Sequence, residues 1–483
     1  MAPITPDDPA LPPGGCEIQT VPVSDAPYLL ARPTEAPPAH ADAPAVSTWD
    51  VPEADAALNV SGDPLRVLNL HNIHAERGGM EVYFDAMTAV LRDHGHKVET
   101  YTRDSAEIAT PLQKVRAFAS AVHSPSSREA VRTIIERERI NLVHLHNVWP
   151  LISFSVLTAC REAFGGRGVP VVMSVQDYKL TCPAGQHRRD GKVCTKCVGG
   201  NEHWCAIHGC RQNRVWSAAY AVRNVVTRRR GLVKDGVTLY LPCSNFVRDH
   251  LVGAGYNADR VRTLPNFTAL PDEPVDPVAK ARAPYISFVG RVSPEKGLDV
   301  LLDAARRTGL PVKIAGDASA MPELVASAPP NVQFVGRLDR EQLPDFYRNS
   351  RFSVVPSNWL ECFGIVSAEA QGYGTPVIAS DIGGLSETVQ DGVTGRLVPA
   401  GDAAALADTM RNLWDDPVTL AGMSRAAQRR ARREFSTTTY YRRLAAAYGR
   451  ACELHRADAE EGEGESGGRF LSLPQAEAEA AYA

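Results

Sequence analysis

The segment RFSVVPSNWLECFGIVSAEAQG, residues 351–372, decides the fold of the second half of the chain. Its opening residues have the apolar pattern of a short buried strand and residues 365–372 that of a helix start, so Gly364 lies in a strand-to-helix turn. Unpaired N–H groups at a helix N-terminus favour an anion. Glu361 precedes the helix and Glu369 lies about one turn inside it, and carboxylates there can accept hydrogen bonds from sugar hydroxyls. The segment therefore predicts a site for a phosphorylated, polyhydroxylated ligand.

Length, charge and the N-terminus narrow the class of protein. The chain has 483 residues, 44% of them hydrophobic, which suffices for the cores of two or three domains. Its formal net charge of −4 argues against a nucleic-acid partner, because such proteins usually carry a basic excess. The N-terminus lacks the basic and apolar regions of a signal peptide, and no segment approaches the roughly 18 uninterrupted apolar residues of a membrane helix. We therefore expect a cytoplasmic protein that acts on small molecules.

Strand and helix patterns alternate through two successive runs. Predicted strands of the first run cover Arg66–Leu70, His96–Thr102, Ile140–Leu145, Val169–Val175 and Val237–Pro242, and those of the second cover Pro284–Gly290, Pro311–Ala315, Val332–Val335, Phe352–Val355 and Pro376–Ala379. Such alternation predicts two α/β domains, each a doubly wound parallel sheet. A ligand would lie in the cleft between them, near the carboxyl ends of both sheets.

Composition places the domain boundaries. Residues 1–62 are rich in Pro and Ala and are predicted to be a disordered tail, as is the acidic segment 456–483. The first domain is predicted to span residues 63–265, with a cysteine-rich insertion at 182–210, and the second to span residues 266–436. Residues 437–455 are predicted to form a C-terminal helix that returns to the first domain.

Four signatures along the chain together resemble family 4 glycosyltransferases. They are Gly78-Gly-Met-Glu81, His144-Leu-His146, Val289-Gly-Arg-Val-Ser-Pro-Glu-Lys-Gly297 and the segment Glu361–Glu369. The resemblance covers roughly residues 64–452. It implies the GT-B fold, with two Rossmann-like domains facing a central cleft, and a retaining enzyme that takes a sugar from a nucleotide-sugar donor.

The donor site is predicted on both domains. Arg291 and Lys296, which follow Gly290 after a predicted strand, suit a diphosphate, because they would neutralise the charge that builds on the leaving group. By the resemblance, Glu369 holds the ribose, Glu361 contacts the transferred sugar, and Phe363, Gly364 and Ile365 offer backbone contacts. In the first domain, Gly78 and Gly79 would let the backbone approach the donor phosphates, and His146 would lie beside the transferred sugar. Glu361, His146, Arg291 and Lys296 are the predicted catalytic residues.

The resemblance also implies how the reaction proceeds. Retaining transfer on one face lets the leaving phosphate deprotonate the acceptor hydroxyl, so Glu361 need not be a nucleophile and no catalytic cofactor is required. Two other readings stay open. The same fold could carry a sugar-nucleotide epimerase, which binds the donor without transferring its sugar, or a catalytically idle scaffold.

Half of the ten cysteines crowd into one polar segment. They are Cys182, Cys194, Cys197, Cys205 and Cys210. The Cys194-X-X-Cys197 spacing is that of a zinc site, and the others could complete a tetrahedron, so we predict a structural zinc with an undecided ligand set. Disulfide or redox pairing and plain reduced thiols are the alternatives.

A basic stretch follows the cysteines. Residues 211–234 carry seven Arg and Lys residues, no acidic residue, and interleaved apolar side chains. They could contact the anionic lipids of the inner membrane face, or form a solvated helix face. The acceptor is expected to be a glycan, a lipid-linked molecule or a small molecule, and the donor a UDP- or GDP-sugar.

Overall fold

The computed structural model describes residues 64–465, apart from residues 75–77, 109, 111–112, 114–116, 118–119, 122, 212, 272–273, 275 and 282. The predicted N-terminal tail and residues 466–483 of the predicted acidic tail lie outside the described residues. All described residues belong to one compact unit that spans residues 44–483.

Five parallel strands form the first sheet, in the order β2-β1-β3-β4-β7. The strands are β1 (Arg66–Ile73), β2 (Lys97–Asp104), β3 (Leu142–Leu145), β4 (Val171–Val175) and β7 (Leu239–Pro242), and β5 (Arg188–Arg189) pairs with β6 (Lys192–Val193) in a separate antiparallel hairpin. The helices are α1 (Gly79–Asp93), α2 (Pro125–Arg137), α3 (Val156–Glu162), α4 (His203–His208), α5 (Arg214–Arg229), α6 (Leu232–Gly236) and α7 (Asn245–Gly253). Every residue of β3 and β4 is buried, as expected of a parallel sheet covered on both faces.

Six parallel strands form the second sheet, in the order β10-β9-β8-β11-β12-β13. They are β8 (Tyr285–Val289), β9 (Val312–Ala315), β10 (Val332–Gly336), β11 (Ser350–Val355), β12 (Val377–Ser380) and β13 (Gly395–Val398). The helices are α8 (Pro277–Ala281), α9 (Leu298–Thr308), α10 (Pro322–Ala326), α11 (Leu343–Arg348), α12 (Ile365–Gly372), α13 (Leu385–Thr388), α14 (Ala403–Asp415), α15 (Pro417–Glu434) and α16 (Thr437–Glu465). The two predicted α/β sheets are therefore present, while the exact domain boundaries stay predictions.

The strand order creates one crevice in each sheet. The order reverses between β1 and β3 in the first sheet and between β8 and β11 in the second, and ligands of open α/β sheets bind outside the strand ends at such reversals. The loops that follow these four strands contain Gly78, His146, Lys296 and Glu361. Topology alone thus brings the four sequence signatures to the carboxyl edges of their sheets.

Three predicted strands begin later than their apolar patterns suggested. The amide of Ile140 bonds to Ile135 O, that of Val169 to Cys160 O and that of Val237 to Val233 O. These amides are used by the preceding helices. Apolar periodicity marks burial, and a buried residue that completes a helix end has the same pattern as the first residue of a strand.

The last helix packs on the first sheet. Tyr440, Leu444 and Tyr448 of α16 are buried in one cluster with strand residues of the first domain, and the Tyr448 hydroxyl lies 2.7 Å from His144 Nδ1. α16 continues past the predicted tail start at residue 456, to Glu465, and Asp458 of this helix pairs with Arg260. In the described part of the chain, no helix has an apolar stretch long enough to cross a bilayer.

Candidate active site

The loop after β8 carries both cations predicted for the diphosphate. It begins at Gly290, forms a 3-10 turn at Pro294–Lys296, and ends at Gly297. Gly297 has a φ of 67° and is the N-cap of α9. A Cβ on Gly297 would overlap the carbonyl oxygen of Pro356, so glycine is required where the loop crosses the end of β11. The loop is therefore held against the strand that leads to Glu361.

Lys296 and Glu361 form an ion pair at the centre of the site. The Lys296 Nζ lies 2.5 Å from Glu361 Oε1, and the Ser357 hydroxyl donates to the same oxygen at 2.8 Å. Burial would raise the pKa of Glu361, but the Lys296 ammonium and the Ser357 hydrogen bond hold that pKa below its usual value. The Glu361 carboxylate is therefore charged at neutral pH, beside a cation.

Arg291 is not part of this buried pair. Its side chain is 74% exposed, and its guanidinium lies 3.3 Å from Glu295 Oε1, which also accepts from Ser293 Oγ at 2.7 Å. An exposed pair of this kind stabilises little, so it does not hold Arg291 firmly. The structure thus brings Lys296, but not Arg291, to Glu361.

Glu369 lies in α12, behind the turn at Gly364. Gly364 has a φ of 85°, and a Cβ there would overlap the Leu385 side chain, so the turn needs glycine for two reasons. The Tyr347 hydroxyl donates to Glu369 Oε2 at 3.4 Å. Burial raises the pKa of Glu369 to about 7, because this weak hydrogen bond compensates little of the lost hydration.

The residues around Gly364 also pack against the first domain. Phe363 is buried, with its ring centroid 5.6 Å from that of Phe435, and it belongs to a core cluster that joins residues of the first sheet to Ala368 of α12 and Ala431 of α15. The Cys362 thiol interacts with the Cys243 thiol and the Tyr178 hydroxyl. The backbone of Phe363, Gly364 and Ile365 therefore forms the N-terminus of α12 at the contact between the domains.

Glu81 holds the predicted glycine loop of the first domain. Its carboxylate accepts hydrogen bonds from Gly78 N at 2.8 Å and His74 N at 3.0 Å, and lies 2.7 Å from His74 Nδ1. Burial opposes the charged form, yet these hydrogen bonds lower the pKa of Glu81 to about 2. A Cβ on Gly79 would meet no atom within 4 Å, which leaves free space above the loop. A Glu three residues after the N-cap, as in the second half of a capping box, is the sequence signal for this role of Glu81.

His146 lies at the end of β3, buried and neutral. Its ring stacks on His144, with centroids 4.4 Å apart, and its Nε2 has no hydrogen-bond partner among the described residues. Burial lowers the pKa of His146 well below its usual value, and His144 and His71 add to the effect. The imidazole is therefore uncharged at neutral pH, and its Nε2 can form a hydrogen bond with a ligand.

A cavity opens beside His146 on the first domain. Its lining includes Asn147, Trp149, Gln176, Asp177 and Lys179. The Lys179 Nζ lies 2.7 Å from Asp177 Oδ2 and 3.2 Å from Asn147 Oδ1. Sequence analysis assigned no role to these residues, because they come from two loops that only the sheet brings together.

The five predicted zinc ligands do not form a ligand set. Cys197, Cys205 and Cys210 lie in a small cluster with Ala221 and Trp204, and the described cysteines are all free. Within the described ranges, no three His, Cys, Asp or Glu side chains are arranged to hold a metal ion. The arrangement does not fit zinc, so the predicted zinc site, with Cys182 and Cys194 as further ligands, has no support among the described residues.

Two family models match the chain, one over each of the two α/β regions. Residues 77–270 match the family Glycosyltransferase Family 4, and residues 272–432 match Glycosyl transferases group 1. A D-inositol 3-phosphate glycosyltransferase of Thermobispora bispora is 30% identical over 427 residues, which cover 79% of this chain and 92% of the relative. The chain belongs to glycosyltransferase family 4. It is an enzyme of that family. A second relative, the D-inositol 3-phosphate glycosyltransferase 2 of Catenulispora acidiphila, is 28% identical over 451 residues, which cover 84% of this chain and 97% of the relative.

Solved structures agree on the fold of this family 4 enzyme. Anabaena HepE, crystallised in complex with UDP, has a TM-score of 0.55 and 19% identity, covering 80% of this chain and 100% of HepE. Sucrose-phosphate synthase of Thermosynechococcus elongatus has a TM-score of 0.60 and 20% identity, covering 80% of this chain and 98% of that one. The predicted GT-B fold is confirmed.

Proposed function

We propose that this enzyme transfers a sugar, with retention of anomeric configuration, from a UDP- or GDP-sugar to a hydroxyl of a glycan, lipid-linked or small-molecule acceptor. The observation that carries the proposal is the ion pair between the half-buried Lys296 and the buried Glu361, close to the N-terminus of α12. It offers a cation and backbone amides for a diphosphate beside a carboxylate for sugar hydroxyls. Few other ligands need that combination at one place.

The proposed roles follow from the charge states. Lys296 would neutralise the leaving diphosphate, and the exposed Arg291 could reach the same group. Glu361, whose pKa is held low, would accept hydrogen bonds from the sugar without acting as an acid, and Glu369 would hold the ribose. Neutral His146 would form a hydrogen bond with a hydroxyl of the transferred sugar. Gly78, Gly79 and Gly290 have no side chains, so the backbone there could approach the phosphates closely. Because side chains supply the positive charge, we expect activity to persist in a metal chelator.

The cavity lined by Asn147, Asp177 and Lys179 is the proposed acceptor site. It lies beside His146, whose Nε2 has no hydrogen-bond partner among the described residues, on the domain opposite Lys296 and Glu361. The charged pair and the amide can donate to and accept from neighbouring hydroxyls. Relatives named D-inositol 3-phosphate glycosyltransferase support a small-molecule acceptor as one candidate.

A panel of nucleotide sugars tests the proposal. We expect UDP- or GDP-sugars to raise the melting temperature, because a ligand that binds only the native state stabilises it by RT ln(1 + [L]/Kd). The best stabiliser is then incubated with acceptors in the presence of a metal chelator, and NMR of the product assigns the anomer. An inverted product contradicts retention. Interconversion of the donor without a new glycosidic bond would favour an epimerase, and binding with no reaction would favour a catalytically idle scaffold that binds nucleotide sugars. An unchanged melting temperature with every nucleotide would contradict the proposal.

We also propose that α5 contacts the cytoplasmic face of the membrane. Val215 and Val222, seven residues apart on one helix face, are 78% and 51% exposed, and Ile207 of the neighbouring helix α4 is 54% exposed. Arg214 and Arg229 are also exposed. Arg223, by contrast, is buried over the Trp149 ring at 3.8 Å and takes no part. Exposed apolar residues with arginines suit anionic lipid.

Vesicle flotation tests this contact. We expect the protein to float with vesicles rich in phosphatidylglycerol and not with neutral phosphatidylcholine vesicles, because both lipid charge and apolar insertion contribute. The double variant Val215→Asp, Val222→Asp should lose most of the binding. Val418→Asp is the matched control, since Val418 is 80% exposed on a helix of the second domain. Equal flotation of all three proteins would contradict the proposal.

A further inference from the structure

Glu387 of the second domain binds the start of a helix in the first domain. Its carboxylate accepts from Asn245 N at 2.8 Å and from Phe246 N at 2.5 Å, the first two amides of α7. The Ser244 hydroxyl accepts from Val247 N and supplies the next cap. A carboxylate at this position satisfies unpaired amides and meets the positive end of the helix dipole. Glu387 is therefore a direct polar link across the two domains.

The segment that carries Glu387 is fixed within the second domain. The buried Arg430 guanidinium donates to the carbonyl oxygens of Glu387 and Thr388. The Gln371 amide of α12 donates to Thr388 O at 2.8 Å. Because α13 has only one turn, these bonds replace the stability that a longer helix would have by itself. Movement of Glu387 therefore requires movement of α12 and α15.

The same segment touches the donor loop. Gly384 N donates to Glu361 O at 2.7 Å. A Cβ on Gly384 would overlap Cys362 O, and a Cβ on Gly364 would overlap the Leu385 side chain, so the two turns are in close contact. A continuous path of packed backbone therefore runs from Glu361 through α13 to Glu387, and from Glu387 to α7.

The other end of the path reaches the proposed acceptor site. α7 follows β7, which pairs with β4 up to Val175 and Pro242. β4 leads directly into Gln176 and Asp177, which line the cavity beside His146. A shift of α7 relative to the second domain would therefore change the distance between the acceptor cavity and Glu361.

We propose that Glu387 is a positioning residue that holds the two domains in their present arrangement and couples the donor loop to that arrangement. The link between the domains does not depend on the proposed function, but its coupling to donor binding rests on that function. The carboxylate has one oxygen for each amide, so both hydrogen bonds need the ionised side chain. Loss of the contact would leave both domains folded. It would separate the donor residues of the second domain from the acceptor cavity of the first.

Two variants break this contact from opposite sides. Glu387→Ala removes the acceptor, and Asn245→Pro removes one amide donor without opposing the helix, because Asn245 is the first residue of α7, where proline is well tolerated, and Ser244 is extended. Asn245→Ala is the matched control. It loses the same side chain, including its bond from Thr263 Oγ1, but keeps the amide.

Hydrogen exchange and small-angle X-ray scattering give readouts independent of activity. We expect Glu387→Ala and Asn245→Pro to show a larger radius of gyration than wild type and Asn245→Ala, and Glu387→Ala to show faster amide exchange at the start of α7. With the best donor, kcat/KM should fall at least about tenfold in both variants, since hydrogen bonds to a charged group are among the stronger ones. Circular dichroism checks that each variant is folded.

The results separate the two proposals. Folded variants whose scattering, α7 exchange and kcat/KM all match wild type would overturn the role of Glu387. A larger radius with faster α7 exchange supports it even when no nucleotide sugar acts as donor, an outcome that would count only against the proposed function. A decrease in kcat/KM equal in Asn245→Ala and Asn245→Pro would assign the effect to the Asn245 side chain and contradict the role of Glu387.

Discussion

Replacing Lys296 with methionine is expected to lower kcat/KM by roughly a hundredfold to a thousandfold, the usual cost of removing one group that stabilises charge in a transition state. Lys296 is the only cation within 4 Å of Glu361 among the described residues. Its loss removes the charge that would meet the leaving diphosphate. It also leaves the buried Glu361 carboxylate without its partner, which raises the pKa of Glu361 and favours protonation.

The double variant Lys296→Met, Glu361→Gln separates these two effects. Because it removes both charges together, it should unfold at a higher temperature than Lys296→Met while staying inactive. Arg291→Met is the comparison for charge alone, since the exposed Arg291 makes only a surface pair, and we expect a decrease of about tenfold or less. Steady-state kinetics and thermal unfolding of the four proteins provide the measurements. Full activity in Lys296→Met would refute the donor assignment.

Donor affinity is expected to fall as the pH drops below about 7, by up to tenfold per pH unit. Glu369 must be ionised to accept two ribose hydroxyls, and burial raises its pKa in the free enzyme to about 7. Below that pH the free enzyme carries a proton that the donor must displace, so binding releases a proton. Above it, the affinity should become constant.

The sign of the stability change is opposite to that of donor binding. The free folded enzyme binds the Glu369 proton more tightly than the unfolded chain, whose pKa is near 4.5, so this group lowers stability as the pH rises from about 4.5 to 7. Calorimetric titration of the best nucleotide sugar at pH 5.5 to 8 measures the affinity change. Glu369→Gln should bind weakly at every pH and lose the dependence, while Glu323→Gln, an exposed carboxylate on α10, should keep it. A wild-type affinity that is flat across this range would contradict the ribose role.

The strands, the two-domain division and the four signatures were predictable because they are local patterns. Alternating apolar runs mark buried strands, and glycines at 297 and 364 mark turns that other residues cannot form. The ends of strands and of the last helix were less predictable. Amides such as those of Val169 and Val237 bond to preceding helices, and Asp458 of α16 pairs with Arg260, about 200 residues earlier in sequence.

The site residues stay a prediction, but the structure shows that two of their charges pair differently from what the sequence suggested. Sequence analysis placed Arg291 and Lys296 together on a diphosphate and Glu361 on the sugar, whereas the structure pairs Lys296 with Glu361 and leaves Arg291 exposed. No spacing in the sequence indicates which of two neighbouring cations meets a carboxylate on another loop. That depends on how β8 and β11 pair.

By itself, the sequence determined the family, the two α/β sheets and the residue types at their carboxyl edges, since each of these depends on patterns within about 20 residues. Only the tertiary structure decided the charge states of Glu361, Glu369 and His146, and the link from Glu387 to α7. A pKa depends on burial and on neighbours distant in the chain, and a contact between domains depends on how two separately folded sheets meet. Neither quantity is contained in a local pattern.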